Sequence, residues 1–448
     1  MTKRPLLIPI GAAVVAGIVF CLWASRRSPL LSVENAAALI SLCLFACPCM
    51  AALSRLADPE QESLSPLQAA DTKRERWVAW GALIGFGMAV SLLEFGLVYL
   101  LARPGKAFFP SFQKLYYRSD VGHYMWISRN GYVAEGPNRL RLVFLPLYPL
   151  SIRLFAGSGD LFSGAFLAAQ VFSLACLPSA YELFRLDMDR RSAAACARIL
   201  FLLPGAAFLR VPMSEALFLF LTLNAVYQAR KKRYLAASLL ASLSAFTRSL
   251  GVLLLALLGV EMLLDFLSQY ATDKRKAWGM VPRFAGCLAV GLTGTMAYLA
   301  INARITGSPF TFLTYQRENW NQRMGLFFNT TAYQMEYAAT YRKAGNMESW
   351  LSLSLPNLLC CFGTLSLLCF GRKQVRLSYL FWMLVYYALA IGATWLLSAP
   401  RYLAMLFPLA ICIHRLFKSN RAELFAEAVL FLIQTGYLLM LALDMSVY

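Results

Sequence analysis

Long apolar runs separated by short polar stretches dominate the chain, and it is their length that carries the first message. Runs near 6–24, 30–53, 77–101, 161–184, 193–209, 213–229, 234–247, 249–267, 281–302, 351–371, 377–397, 402–417 and 423–444 read as thirteen spanning helices. A helix needs about 20 apolar residues to cross a hydrocarbon core about 30 Å thick. Several runs are shorter, so tilted, broken or re-entrant elements are expected among them. The pattern predicts an all-α, polytopic membrane helix bundle of about 13 transmembrane helices with long outer loops.

Two polar stretches, 102–160 and 303–350, exceed the roughly 12–15 residues above which a connection usually carries function or its own structure. Within the first, residues 141–156 are apolar but interrupted by Pro146 and Pro149. Proline removes a backbone donor, so this segment reads as an interfacial or re-entrant element, not a crossing. Residues 54–76, mixed in charge, read as a cytoplasmic linker. The expected division is 1–76 for two extra N-terminal helices and their linker, 77–417 for the main core, and 418–448 for a C-terminal transmembrane helix.

Composition agrees with a membrane bundle. Of 448 residues, 59% are hydrophobic and 15% charged, with a mean hydropathy of +0.57, values that exclude a water-soluble domain. The net charge of +19 suggests nucleic acid until its distribution is considered. Basic residues cluster between apolar runs, as at Lys73-Arg74, Arg190-Arg191, Arg230–Arg233, Lys274–Lys276 and Arg372-Lys373. That is the positive-inside pattern, and it favours anionic lipid over nucleic acid. With Lys3 and Arg4 inside, helix parity puts 102–160 and 303–350 outside and these basic runs inside. The first run lacks a small-residue cleavage site and reads as an anchor. The 11 cysteines lie almost wholly in apolar runs, so no disulfide framework is expected. Cys47-Pro48-Cys49 has no nearby His or second Cys pair and reads as core packing.

Candidate chemistry concentrates in 116–149, where Asp120, His123, Tyr124, Tyr132 and Tyr148 fall in a polar segment between spans. A carboxylate there can act as a general base. His123 follows three residues later and shares a face with Asp120 if the stretch is helical. One His and one Asp do not make an open zinc site, so no metal or cofactor is expected. A divalent ion held by Asp120 and Glu215 through oxygen is the one cation reading, and it is not indicated. Arg248 and Arg401 sit at helix ends, where a guanidinium can grip a phosphate while its stem snorkels. Glu215 begins a helix, which a carboxylate favours by itself. Trp320 and the tyrosines can stack on sugar rings or belong to an interfacial aromatic belt. Glu94 lies inside a span, at an insertion cost of about 2.5–3.5 kcal/mol, so it is expected to face the protein interior. Asn329-Thr330-Thr331 matches an N-glycosylation acceptor.

Asp120-x-x-His123-Tyr124, Ile127, Gly131-Tyr132 and Phe144-Leu145-Pro146-Leu147-Tyr148-Pro149 resemble the first outer loop of the PIG-V mannosyltransferases. Ser214-Glu215-Ala216-Leu217-Phe218, Thr247-Arg248-Ser249-Leu250-Gly251, Gly307-Ser308-Pro309-Phe310 with Gln316 and Trp320, and Pro400-Arg401-Tyr402-Leu403 follow in the family's order. The resemblance covers roughly 77–417. It departs at Ser119, where family members commonly carry Trp. It implies a C-type glycosyltransferase bundle that takes mannose from a polyprenyl-phosphate carrier and passes it, with inversion, to a glycolipid or glycan acceptor on the outer face. Asp120 is the expected base. Arg401, Arg248 and His123 are the expected donor-phosphate ligands. Tyr124, Tyr132, Tyr148, Glu215, Gln316 and Trp320 are the expected acceptor and sugar contacts. The expected location is a bacterial plasma membrane, or the endoplasmic reticulum in a eukaryote. The main rival is a transporter or lipid-linked glycan flippase, which usually places paired charges at the midplane in inverted repeats. A glycan polymerase or ligase is a third reading, and within the transferase class the donor sugar could be glucose or arabinose.

Overall fold

The computed structural model describes residues 4–24, 32–57, 71–102, 108–393 and 398–447. Lys3, most of the 54–76 linker and the end of the 377–397 run lie outside the described residues. Among the described residues the protein is all helical, with one isolated antiparallel bridge, Met324 to Ala393.

Among the described residues, seven helical segments are long and apolar enough to cross a bilayer: Val33–Leu56, Lys73–Ala102, Leu161–Phe184, Ser249–Thr272, Lys274–Thr306, Met347–Gly371 and Asn420–Ala442. Shorter apolar helices include Gly11–Ala24, Tyr234–Thr247 and Leu377–Ile391. The thirteen expected runs therefore appear as full-length helices together with shorter or broken ones. Large apolar side chains face outward along them, among them Leu22, Leu92, Leu100, Trp278, Met296 and Phe425. Such faces suit hydrocarbon, where every backbone polar group must be paired within the helix. The chain is a multi-pass membrane protein.

We label the helices that frame the site. α1 is Arg4–Ala24, α2 Val33–Leu56, α3 Lys73–Ala102, α4 Phe108–Tyr116, α5 Val121–Asn130, α6 Leu147–Ala156, α7 Leu161–Phe184 and α8 Arg190–Leu202. α9 is Glu215–Arg230, α10 Tyr234–Thr247, α11 Leu254–Thr272, α12 Lys274–Thr306, α13 Thr311–Trp320 and α14 Phe327–Lys343. α15 is Leu355–Gly371, α16 Leu377–Ile391, α17 Ala399–Leu403, α18 Pro408–His414 and α19 Asn420–Ala442. α9 is apolar nearly all round and is correspondingly the core helix, packed against α7 and α10. At about 1.5 Å per residue it spans roughly 24 Å, so Glu215 and Arg230 mark opposite ends of the bundle.

The Arg230 end gathers ion pairs. Arg230 holds Asp187 at 2.6 Å, Arg185 holds Asp71 at 2.7 Å, and Arg376 holds Glu261 at 2.7 Å. Arg190 joins Arg185 on Asp71, and Lys232 pairs with Asp265.

Several expected runs are interrupted, each for a local reason. Run 193–209 stops at Leu202, because Pro204 lacks the N–H to continue the helix and starts a short 3-10 segment, Pro204–Leu209. Run 402–417 splits into α17 and α18, with Pro408 at the first turn of the second. The 102–160 stretch is largely helical, as α4, α5, a 3-10 segment over Pro137–Val143, and α6. α6 has 10 residues, too few to cross. The Asn329-Thr330-Thr331 match lies within packed α14, where Thr331 is buried and bonds Ser41 at 3.0 Å.

Candidate active site

At the Glu215 end, parts distant in sequence enclose a pocket of about 340 Å³. Its wall includes Asp120 and Tyr124, Phe144, Arg248, Gln316 with Trp320, and Arg401 with Tyr402. Ser119 also lines it, with a left-handed φ of 49°, a conformation that costs a non-glycine residue about 1–2 kcal/mol. That strained step swings the chain from α4 into α5 and presents Asp120 to the cavity.

Asp120 precedes α5, yet its side chain makes no capping hydrogen bond. The carboxylate instead accepts from Arg401 Nη2 at 2.6 Å. Arg401 Nε also donates to Glu215 Oε1, and Arg248 Nη1 donates to the same oxygen. Arg248 Nη1 donates to Ser214 Oγ at 3.0 Å, and that hydroxyl shares a 2.9 Å hydrogen bond with Tyr124 OH. Two guanidiniums and two carboxylates thus form one continuous, formally neutral cluster. Exposure falls from 22% for the Asp120 side chain to 5% for Arg401 and 0% for Glu215, and Arg248 beyond it keeps 14%. Asp120 is the charge that solvent or substrate reaches most readily.

Two close approaches build this geometry. Gly205 lies against the carbonyl of Pro400, so any side chain there collides with the turn that carries Arg401. Gly251 lies against the backbone of Ser244, which lets the Thr247–Gly251 segment fold back over the end of α10 and aim Arg248 inward.

Burial pushes the Asp120 carboxyl up, but the Arg401 charge and hydrogen bond, with help from Arg248 and His123, outweigh it and hold the group below the usual aspartate range. It is anionic at neutral pH. Burial lowers His123; Asp120 opposes this and Arg141 adds to it, leaving a neutral imidazole. Burial and the Asp120 charge raise Tyr124, which stays a neutral phenol.

The expected site residues divide in four. Asp120, Tyr124, Arg248, Gln316, Trp320 and Arg401 all line the pocket. His123 does not line it: its ring stacks on Phe144 at 4.6 Å and meets Trp320 edge-on at 6.1 Å. Tyr132 and Tyr148 donate to the backbone carbonyls of Phe144 and Ala165, at 2.6 and 3.1 Å, and act as struts. Glu215, expected to touch an acceptor, is fully enclosed and serves as counter-ion to both arginines. Sequence reasoning passed over Ser214 as a contact, Gln322 and Met324 on the pocket wall, and Gly205. Only Ser214 sat within a quoted motif; the others carry no local signal. Among the described residues no group of three or more His, Cys, Asp or Glu side chains is arranged to hold a metal ion.

This architecture defines a class: a multi-pass helical membrane protein whose interrupted helices and long loops wall one charged pocket. Residues 110–305 match the sequence profile of a family described as Mannosyltransferase (PIG-V). GPI alpha-1,6-mannosyltransferase 2 of Mus musculus is 27% identical over 254 residues, covering 53% of this chain and 48% of its own length. The Rattus norvegicus protein of the same name is 28% identical over 211 residues, covering 44% and 39%. The matched region thus spans about half the length of the curated relatives or less. Asp120, Glu215 and Arg248 lie inside the family match; Gln316, Trp320 and Arg401 lie beyond it.

Proposed function

We propose that this chain is a membrane glycosyltransferase that moves mannose from a polyprenyl-phosphate carrier to a hydroxyl of a glycolipid or glycan. The observation that carries the reading is the Asp120–Arg401 pair on the pocket wall. The relatives are named for α-1,6 transfer to glycosylphosphatidylinositol, and an acceptor of that chemical kind is the natural first choice. The basic clusters at the Arg230 end support a cytoplasmic face there and an outer pocket.

In this reading the acceptor hydroxyl oxygen attacks the anomeric carbon and its proton passes to Asp120. The bond from that carbon to the phosphate oxygen breaks, and the carrier phosphate leaves with the bonding pair. One base and no second nucleophile suit a single displacement with inversion. Asp120 and the phosphate exchange roles at Arg401. When the carboxylate takes the proton it loses its hold on the guanidinium, at the moment the leaving phosphate gains charge. The cluster therefore meets developing charge with donors already in place, the arrangement that stabilises a transition state most. A phosphate leaving group needs no strong acid, in keeping with a neutral His123 outside the pocket.

The test is incubation of membranes with several radiolabelled polyprenyl-phosphate sugars, comparing wild type with Asp120→Asn. Transfer from the mannose carrier, lost in the variant at equal protein level, is the expected result. Equal transfer by both removes Asp120 from the mechanism. Sugar-independent counterflow of a lipid-linked glycan in proteoliposomes, without transfer, would favour transport instead.

A further inference from the structure

Arg401 owes its place to a helix of only 5 residues, α17, whose leading N–H, that of Ala399, comes too early for an intrahelical acceptor. Its N-cap, Ser398, makes no side-chain capping bond. The missing acceptor comes from another helix: the Ala399 N–H donates to Asn357 Oδ1 of α15 at 2.7 Å. The same amide donates in turn, from Asn357 Nδ2 to Gln334 Oε1 of α14, at 3.1 Å. Asn357 and Gln334 are both buried. An amide that accepts at one end and donates at the other has its orientation set by both partners.

On the opposite side of the turn, the Pro400 carbonyl rests on Gly205. The segment leading into Gly205 is itself pinned by Gln434, whose Nε2 donates to the carbonyls of Phe201 and Leu203 at 3.0 Å each. The Pro400-Arg401 step is therefore held between a hydrogen-bond clamp and a steric stop. Arg401 must satisfy Asp120 and Glu215 at once, so a small displacement of its backbone breaks one of the two.

We infer that Asn357 is a positioning residue for Arg401: by capping Ala399 from across the bundle, it sets the guanidinium against Asp120 and the carrier phosphate. This rests on the phosphate-gripping role of Arg401 proposed above. Asn357 lies outside the family-matched residues 110–305 and is not part of the pocket wall.

The experiment uses full-length protein in detergent and in membranes. It measures the affinity for polyprenyl phosphate without sugar, the donor KM and kcat, and the pH profile of transfer. Asn357→Ala is expected to weaken polyprenyl-phosphate binding and raise donor KM between roughly tenfold and 100-fold, the loss typical of a displaced positioning group. The acid limb of its pH profile moves upward, because Asp120 loses the Arg401 contact that depresses it. In an Arg401→Ala background, Asn357→Ala has no further effect on binding. Gln334→Leu, which keeps the acceptor for Ala399, shifts the same quantities in the same direction by less. An Asn357→Ala loss that is unchanged by Arg401→Ala overturns the inference. So does a variant whose folded fraction shows wild-type KM, affinity and pH limb. Wild-type protein that binds polyprenyl phosphate but transfers nothing defeats the glycosyltransfer reading, while the binding cycle still decides the role of Asn357.

Discussion

The Glu94–Arg210 pair and the Asp120–Arg401–Glu215–Arg248 cluster are both buried charge clusters in one helical bundle, and the second lines the described pocket. Glu94 and Arg210 are each 0% exposed; Thr435 lies 3.5 Å from the carboxylate and the Phe201 ring lies 4.8 Å from the guanidinium. No pocket residue is among these partners. That pair ties α3 to the turn after the 3-10 segment and to α19, and each charge is the other's counter-ion. In the pocket cluster one carboxylate, Asp120, remains reachable and shares its arginine with a second acid behind it. A closed pair holds helices together. An open one, with a spare counter-ion in reserve, can trade one anion for another.

The two clusters should fail in different ways. The largest effect falls on chemistry: Asp120→Asn should lower transfer by roughly 10²–10⁴-fold, the usual worth of a positioned base, with little change in thermal unfolding of the detergent-solubilised protein. Appreciable transfer by this variant would make the open cluster as structural as the closed one. Next in size, Arg210→Leu leaves Glu94 buried without its counter-ion and should cost about 3–5 kcal/mol, read as a lower melting temperature and a smaller monodisperse fraction. Glu94→Gln combined with Arg210→Leu should recover much of that loss. If the single and double variants melt alike, the pair does not tie these helices together.

Smaller effects sharpen the picture inside the pocket. Arg401→Lys keeps a charge but loses the fork that spans Asp120 and Glu215, so donor KM should rise about tenfold with kcat less affected. Arg401→Gln removes the charge while Asp120 stays desolvated. The Asp120 pKa then rises, and since only the anion accepts a proton, the acid limb of activity moves to higher pH; an unmoved limb would show that Arg401 does not set it. Least of all, His123→Phe preserves the ring stacked on Phe144 and should change transfer less than about threefold. A large loss would return the imidazole to the chemistry.

Much of the fold was legible because hydrocarbon imposes a simple rule on sequence. Leu161–Phe184 and Tyr234–Thr247 begin and end where the apolar runs do. The breaks at Pro204 and Pro408 were less visible, since each run stays apolar across its proline and only the missing N–H marks the interruption. The pocket was legible in part. Asp120, Arg248 and Arg401 stood out as charges at the edges of spans, where a charge needs a reason. Glu215 stood out too, yet its role differs, because depth inside a bundle depends on neighbours from other helices. Asn357 and Gly205 lie in apolar surroundings with nothing local to distinguish an amide that caps a distant turn from one that packs.

What the chain by itself determined is the membrane class, the all-helical architecture and the charges that meet at the pocket: one loop carboxylate and guanidiniums at helix ends. Those follow from hydropathy and charge, which are additive along a sequence. Tertiary structure alone decided which arginine faces which acid, that His123 stacks instead of lining the cavity, and that Glu215 lies behind the wall. Pairing energy depends on distance and burial, and both arise only when segments as far apart as residues 120, 215, 248 and 401 are brought within hydrogen-bonding reach.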